Sequence, residues 1–210
     1  MNIAILGAGI VGVTTAYELA ADGHQVTVFE RHASVAEGSS FANAGVVAPG
    51  YVTPWAAPGM PLKVLRYLLA RHAPVRVRRP LALADIAWMR QWLAACDRAA
   101  YASNRARMQR LAFYSRHRLH QVAGAMAYDF DRSSGYMVLL RAERDRRLAQ
   151  PGLALLRELG VPFQELDADA ARRIEPALHP HTPLAGAIHL PQDEVGNCRQ
   201  FAIILRDAAE

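Results

Sequence analysis

The segment Gly7-Ala8-Gly9-Ile10-Val11-Gly12 limits what this chain can fold into more than any other. It stands between a short apolar run at residues 2–6 and an apolar-striped stretch at 13–21. The run Asn-Ile-Ala-Ile-Leu suits a strand buried on both faces of a parallel sheet. In the striped stretch Val13, Ala16, Leu19 and Ala20 fall on one helical face, and Asp22-Gly23 ends the helix. Residues 25–29 form a second β-branched strand ending at Glu30. The order strand, glycine turn, helix, strand is a complete βαβ opening for a doubly wound α/β fold. In such a unit Gly7 permits the tight turn, Gly9 lets the backbone approach a pyrophosphate, and Gly12 lets the helix pack on the strand. The free N–H groups and partial positive charge of the helix N-terminus then face the phosphates, through Ala8, Ile10 and Val11 as well as the glycines. Glu30 lies 18 residues beyond Gly12, near the roughly 20 expected of a carboxylate that accepts from ribose hydroxyls. Such a carboxylate repels a 2′-phosphate, which disfavours NADP. FAD and NAD share the half that this unit grips, so these residues alone leave the choice open.

The segment after the second strand favours the flavin. Beyond Arg31 the chain enters a small-residue, polar loop, with Ser39, Ser40, Asn43, Ala44 and Gly45, before Val46-Val47-Ala48-Pro49-Gly50. Hydroxyls and small side chains suit a loop laid against phosphate and flavin ring, whereas an NAD enzyme more often proceeds to another helix and strand.

Composition narrows the other possibilities. The chain is 52% hydrophobic and 20% charged over 210 residues, a globular balance that excludes a disordered polymer. Two separated cysteines, Cys96 and Cys198, argue against a disulfide scaffold or a cysteine zinc site and for reduced thiols in the cytoplasm. The apolar start lacks a basic n-region and is broken by Glu18 and three glycines, so neither a signal peptide nor a membrane anchor is expected. Lys63 is the sole lysine of the 24 basic residues, and between Arg66 and Arg118 only Asp85 and Asp97 are acidic. That stretch reads as a solvated basic surface or a peripheral contact with an anionic inner membrane face. No RNP or zinc-finger motif accompanies it, so nucleic acid is not an expected partner. His117 with His120, and His179 with His181, lack the nearby carboxylates of a metal set and are read as surface or packing residues. No metal site is expected.

The turn Gly7–Gly12, the Val28-Phe29-Glu30-Arg31 strand end and the Ser39–Gly45 loop resemble the FAD-binding start of the D-amino-acid oxidase superfamily. Asn43-Ala44-Gly45, Pro54-Trp55-Ala56-Ala57-Pro58-Gly59, Arg71-His72-Ala73-Pro74, Trp88-Met89, Arg110-Leu111-Ala112, Tyr114-Ser115-Arg116 and Leu190-Pro191-Gln192-Asp193-Glu194 resemble its bacterial D-amino acid dehydrogenase branch. The resemblance covers nearly the whole chain. It implies an FAD-binding Rossmann-like unit at 1–50, a helical cap and part of a mixed α+β substrate domain at 51–190, and a return to the FAD domain at 191–210. It implies oxidative deamination of a D-amino acid, with D-alanine the expected substrate, and electrons passed to a quinone-type acceptor. It also implies a protein that continues past Glu210, with a C-terminal half as a further partner. Other amine or 2-hydroxy-acid oxidoreductases of the superfamily, of glycine- or sarcosine-oxidase type, and a non-catalytic nucleotide-binding remnant are the alternatives. No catalytic acid–base residue is nominated, because hydride transfer to a flavin needs none; Tyr51, directly after the loop, is the candidate substrate-side group, ahead of Arg79.

Further along, helices are expected at 64–70, 84–99 and 103–125, with 51–63 irregular. Ile86, Met89, Leu93 and Cys96 in one helix, and Met108, Leu111, Leu119 and Val122 in the next, are expected to face inward, and Trp88 and Trp92 to pack. Strands are expected at 136–140, 161–166 and 186–190, and helices at 142–160, after Asp167 or Asp169, and from Asn197 or Cys198. Pro151-Gly152 predicts a break or kink in the helix at 142–160.

Overall fold

A computed structural model describes residues 1–68, 82–126 and 128–210. The chain divides into two compact units, one of residues 1–50 with 119–210, the other of residues 51–118.

In the first unit, β1 (Asn2–Leu6) and β2 (Gln25–Phe29) pair in parallel, from Asn2 opposite Gln25 to Leu6 opposite Phe29, and α1 (Ile10–Ala21) makes the crossover. The expectation that β1 is buried on both faces is corrected. Leu6 is 86% exposed and Phe29 56%, because among the described residues the sheet has two strands and α1 with its neighbours covers one side. A core joins α1 to the last helix: Val13, Phe201, Ala202 and Leu205 cluster with Ala8, Val35, Ala36, Val122 and Phe130.

A second sheet carries the rest of this unit. β3 (Val46–Val47) and β4 (Ser133–Leu140) flank β6 (Gly186–Val195) antiparallel, and β5 (Gln164–Leu166) also pairs with β6. The β4–β6 register shifts between Ser134 and Tyr136, opposite the stretch holding Pro191. A proline has no ladder N–H to give, so it belongs at such an irregularity. There Asp193 Oδ1 accepts from the Gly50 N–H at 3.1 Å, and buried Glu194 meets His120 Nε2 at 2.6 Å and Arg132 Nε at 3.8 Å. His120 thus hydrogen-bonds a buried carboxylate, while His179 and His181 stack edge-on near the surface.

Helix α5 (Glu143–Glu158) runs without interruption through Pro151, against the expected break. Asp145 caps its start by accepting from the Ala142 N–H at 3.0 Å. Leu153 and Leu156 are buried on its inner side, whereas Pro151 and Gly152 are exposed. Tertiary burial offsets the proline's lost bond. Asp167 caps α6 (Ala168–Ile174) through the Ala170 N–H at 2.7 Å, and Asn197 caps α7 (Cys198–Ala209) through the Gln200 N–H at 3.1 Å.

The second unit holds α2 (Met60–Leu68), α3 (Leu83–Ala95) and most of α4 (Arg98–Ala125). Helix α2 starts earlier than expected, since Pro61 sits in a first turn that tolerates it. The expected helix at 84–99 ends at Ala95, because Asp97 starts a new one, accepting from the N–H groups of Ala99 at 2.8 Å and Ala100 at 3.3 Å. Those N–H groups, that of Ala100 foremost, hold its carboxyl below the usual aspartate value. The expected inward stripes are corrected in part: Ile86, Met89, Leu93, Met108 and Leu111 are 38–67% exposed, as is Trp88 at 57%, while Cys96 is buried, Trp92 half-buried, and Val122 and Leu119 face inward as expected, Val122 in the core of the first unit and Leu119 packed against it. Arg71, His72, Ala73, Pro74 and Arg79 lie outside the described residues.

Candidate cofactor site

The glycine turn is tied to the end of β2 at its first residue. Gly7 takes φ +99° and donates its N–H to the Phe29 carbonyl at 2.8 Å. A side chain there is strained whatever space is available. Gly12 is required for a different reason. A Cβ on it would run into the Gly7 carbonyl oxygen, a backbone atom that cannot step aside. The first turn of α1 thus rests directly on the chain leaving β1.

Glu30 reaches back to this turn. One carboxylate oxygen accepts from the Ala8 N–H at 2.6 Å; the other accepts from the N–H groups of Arg31 at 2.8 Å and His32 at 2.9 Å. The Ala8 and His32 N–H groups, with that of Arg31 and the nearby His32 side chain, hold its carboxyl below the ordinary glutamate value against a smaller opposing effect of desolvation. The acid is therefore fixed, ionised, beside the turn. Ser40, itself buried, accepts from the Ile10 N–H at 3.0 Å. The expectation that the whole turn presents free amides is corrected accordingly: Ala8 and Ile10 are engaged by Glu30 and Ser40. Among the described residues, the N–H groups of Gly9, Val11 and Gly12 have no protein acceptor. These three remain for an anion at the positive end of α1.

An open cleft of ≈ 370 Å³ lies here, lined by Gly7, Gly9, Phe29, Glu30, Arg31, His32, Glu37 and Gly38. Arg31 is exposed at its rim, its Nε 3.2 Å from His32 Nε2. His32, Glu37 and Gly38 are not among the expected site residues. The same small-residue loop that singles out Ser39 and Ser40 carries Gly38. Nothing in the pattern marks Glu37, which is held by Arg199 Nη2 at 2.7 Å across the fold.

The later loop residues go elsewhere. Asn43 Oδ1 accepts from the Gly45 N–H at 2.9 Å, closing a local turn, and the Gly45 carbonyl accepts from the Gly196 N–H at 2.8 Å. Asn43, Ala44 and Gly45 thus sit at the join of β3 and β6, outside the cleft lining. Ser39 is exposed beside Ser40.

A glycine turn at φ > 0, a helix start with unpartnered amides and an acid at the neighbouring strand end together define a dinucleotide-binding βαβ protein. Residues 2–210 match the family described as FAD dependent oxidoreductase (DAO), and the chain belongs to that family. It is 44% identical over its whole length to D-amino acid dehydrogenases from two strains of Cereibacter sphaeroides, covering 49% of each. The chain therefore spans about half the length of the curated relatives it matches. Among solved structures it superposes on the iminodiacetate oxidase of Chelativorans sp. BNC1 with a TM-score of 0.61 at 21% identity, and on the glycine oxidase of Geobacillus kaustophilus with 0.59 at 21%. Each superposition covers 99% of this chain, with 44% and 43% of the respective neighbour. These confirm the mixed α/β fold. Among the described residues, no helix is long and apolar enough to cross a membrane.

Proposed function

We propose that this chain supplies the adenosine-diphosphate grip of an FAD-dependent D-amino acid dehydrogenase. The observation that carries the reading is Glu30 held ionised against the glycine turn while, among the described residues, the Gly9, Val11 and Gly12 N–H groups stay unpartnered. The residues fit the cofactor. Gly9, Val11 and Gly12 would donate to the diphosphate, and Gly7 keeps side chains off its approach. Glu30 has spent one lone pair on Ala8 and one each on Arg31 and His32, and a carboxylate offers about four acceptor positions; the remaining one would accept from a ribose hydroxyl. Ser40 stiffens the helix start by holding Ile10, Arg31 lines the approach, and Ser39 would contribute from the exposed loop beside Ser40. Asn43, Ala44 and Gly45 support the site through the β3–β6 join rather than from the cleft wall.

When bound, the flavin supplies a two-electron acceptor for the substrate Cα hydride, and water hydrolyses the resulting imino acid to oxo acid and ammonia. The chain's own task is positional, since such a reaction is won by holding the reacting atoms at about 3–3.5 Å. A D-amino acid such as D-alanine is the substrate, and a quinone-type carrier takes the electrons onward. Peripheral membrane contact through the arginine-rich 66–118 stretch completes the reading.

The test is spectroscopic. The purified chain incubated with FAD and desalted is expected to retain absorbance near about 375 and 450 nm, and NADP is expected to leave no bound nucleotide. A colourless chain that takes up no FAD in equilibrium dialysis overturns the grip. D-alanine with a dye acceptor then reports turnover in the protein that carries this chain.

A further inference from the structure

Between β2 and β3 the chain runs from residue 30 to 45 without a helix or strand. This segment nevertheless carries a wall of the cleft and a cap for α1. Glu37 and Gly38 line the cleft. Ser40, two residues on, accepts from the Ile10 N–H at 3.0 Å. Its hydroxyl also lies over Gly9, 3.4 Å from where a Cβ would stand. Arg199 grips the segment on either side of Ser40 in sequence. Its Nη2 donates to Glu37 Oε1 at 2.7 Å, and its guanidinium lies over the Phe41 ring, 4.4 Å from the centroid.

The grip comes from a fixed base. Arg199 is the second residue of α7. Asn197 sets that helix start by accepting from the Gln200 N–H at 3.1 Å, and α7 enters the core through Phe201, Ala202 and Leu205. All of these residues belong to the first unit. An arginine suits both partners, since the face of a guanidinium stacks on a ring while the donors at its edge meet a carboxylate. We infer that Arg199 is a positioning residue for the cofactor site. By holding Glu37 and Phe41 it keeps Ser40 on the Ile10 N–H, and so fixes the start of α1 and the Glu37–Gly38 wall where a diphosphate is received. Arg199 itself lies outside the cleft lining and acts through Ser40. Ordering the segment beforehand removes that cost from binding. The consequence for FAD rests on the function proposed above; the hold of Arg199 on Ser40 does not.

The test is amide hydrogen exchange in the full chain without flavin, followed by FAD titration. Arg199→Met is expected to speed exchange of the Ile10 N–H at least about tenfold, as a released segment opens locally. The Gly7 N–H, bonded to the Phe29 carbonyl outside that segment, is expected to keep its rate. Ser40→Ala is expected to speed Ile10 in the same way, and Arg199→Met added to it to change nothing further, because both act through one hydrogen bond. FAD affinity, read by fluorescence, is expected to fall about tenfold in Arg199→Met, again without additivity to Ser40→Ala. Phe41→Leu, at a ring 49% exposed, removes one arm of the grip and is expected to speed Ile10 several-fold; it serves if Arg199→Met fails to fold. Equal acceleration of Ile10 and Gly7 overturns the inference, because it marks a general loss of stability. So does an unchanged Ile10 amide, or effects of Ser40→Ala and Arg199→Met that add. A faster Ile10 amide with unchanged FAD affinity also overturns it, since the grip then does not serve the cofactor. Should the parent take up no FAD, the proposed function falls with the cofactor role, and the Ile10 amide still decides whether Arg199 holds Ser40.

Discussion

The two units treat their apolar pattern in opposite ways. In the first, the periodic residues are the core: Val13 is 4% exposed, Leu205 1% and Ala202 0%. In the second, apolar residues on α3 and α4 also recur at spacings of three and four, yet Ile86, Met89, Leu93 and Leu111 are exposed while Arg105 and Gln109 are buried. Periodicity shows which residues share a helical face. It does not show whether anything covers that face. In the first unit the cover is on hand, since α1 and α7 present apolar faces to each other and fill them.

The comparison breaks most sharply at the glycine turn. Gly12→Val places branched carbons into the Gly7 carbonyl, a backbone clash that no rotamer relieves. It is expected to destabilise the first unit by about 3–4 kcal/mol and to abolish FAD retention, measured by urea melts and desalted absorbance. A stable, yellow variant would show that the turn relaxes without cost. Leu205→Ala comes next. Its side chain is 1% exposed, so truncation is expected to cost about 3 kcal/mol from lost burial and the cavity left behind. A cost below about 1 kcal/mol would mean that the α1–α7 core is not the stabilising centre.

How much of this is legible in the sequence depends on the range over which each signal acts. The turn is legible because every term is local. Gly7 must bend, Gly12 must let the helix close, and Glu30 comes within one strand. Caps at Asp167 and Asn197 are legible for the same reason, a side chain meeting its own helix's amides three residues on. The continuation of α5 through Pro151 is not, because the proline cost is local while the burial of Leu153 and Leu156 that outweighs it depends on the tertiary fold. The pairing of Glu194 with His120 spans 74 residues and leaves no spacing to read. Nor does the pattern say that Glu30 and Ser40 cap two of the turn's own amides, since an acceptor near a helix start serves a ligand or the protein equally well.

Glu30 sharpens the comparison through pH. Its carboxyl titrates below the ordinary glutamate value in the folded chain, chiefly because the Ala8 N–H favours the ionised form. Folding therefore favours deprotonation. The stability this adds is complete above the unfolded glutamate value and is lost as pH falls through the folded one. Melting temperature against pH is expected to drop more steeply for the parent than for Glu30→Gln as pH falls from the unfolded glutamate value through the folded one. Parallel curves would show that the carboxylate gains nothing from the turn.

The smallest effect is expected in the second unit. Leu111 is 67% exposed on α4, so Leu111→Ala removes little buried area in this chain, and alanine is the better helix former. The change in stability is expected within about 0.5 kcal/mol of zero, against the loss expected for Leu205→Ala at the same type of residue. Urea midpoints of the two variants, taken side by side, give the contrast directly. Should Leu111→Ala cost as much as Leu205→Ala, the stripe on α4 would be covered in solution after all, and the contrast between the two units would reduce to a difference in what covers them.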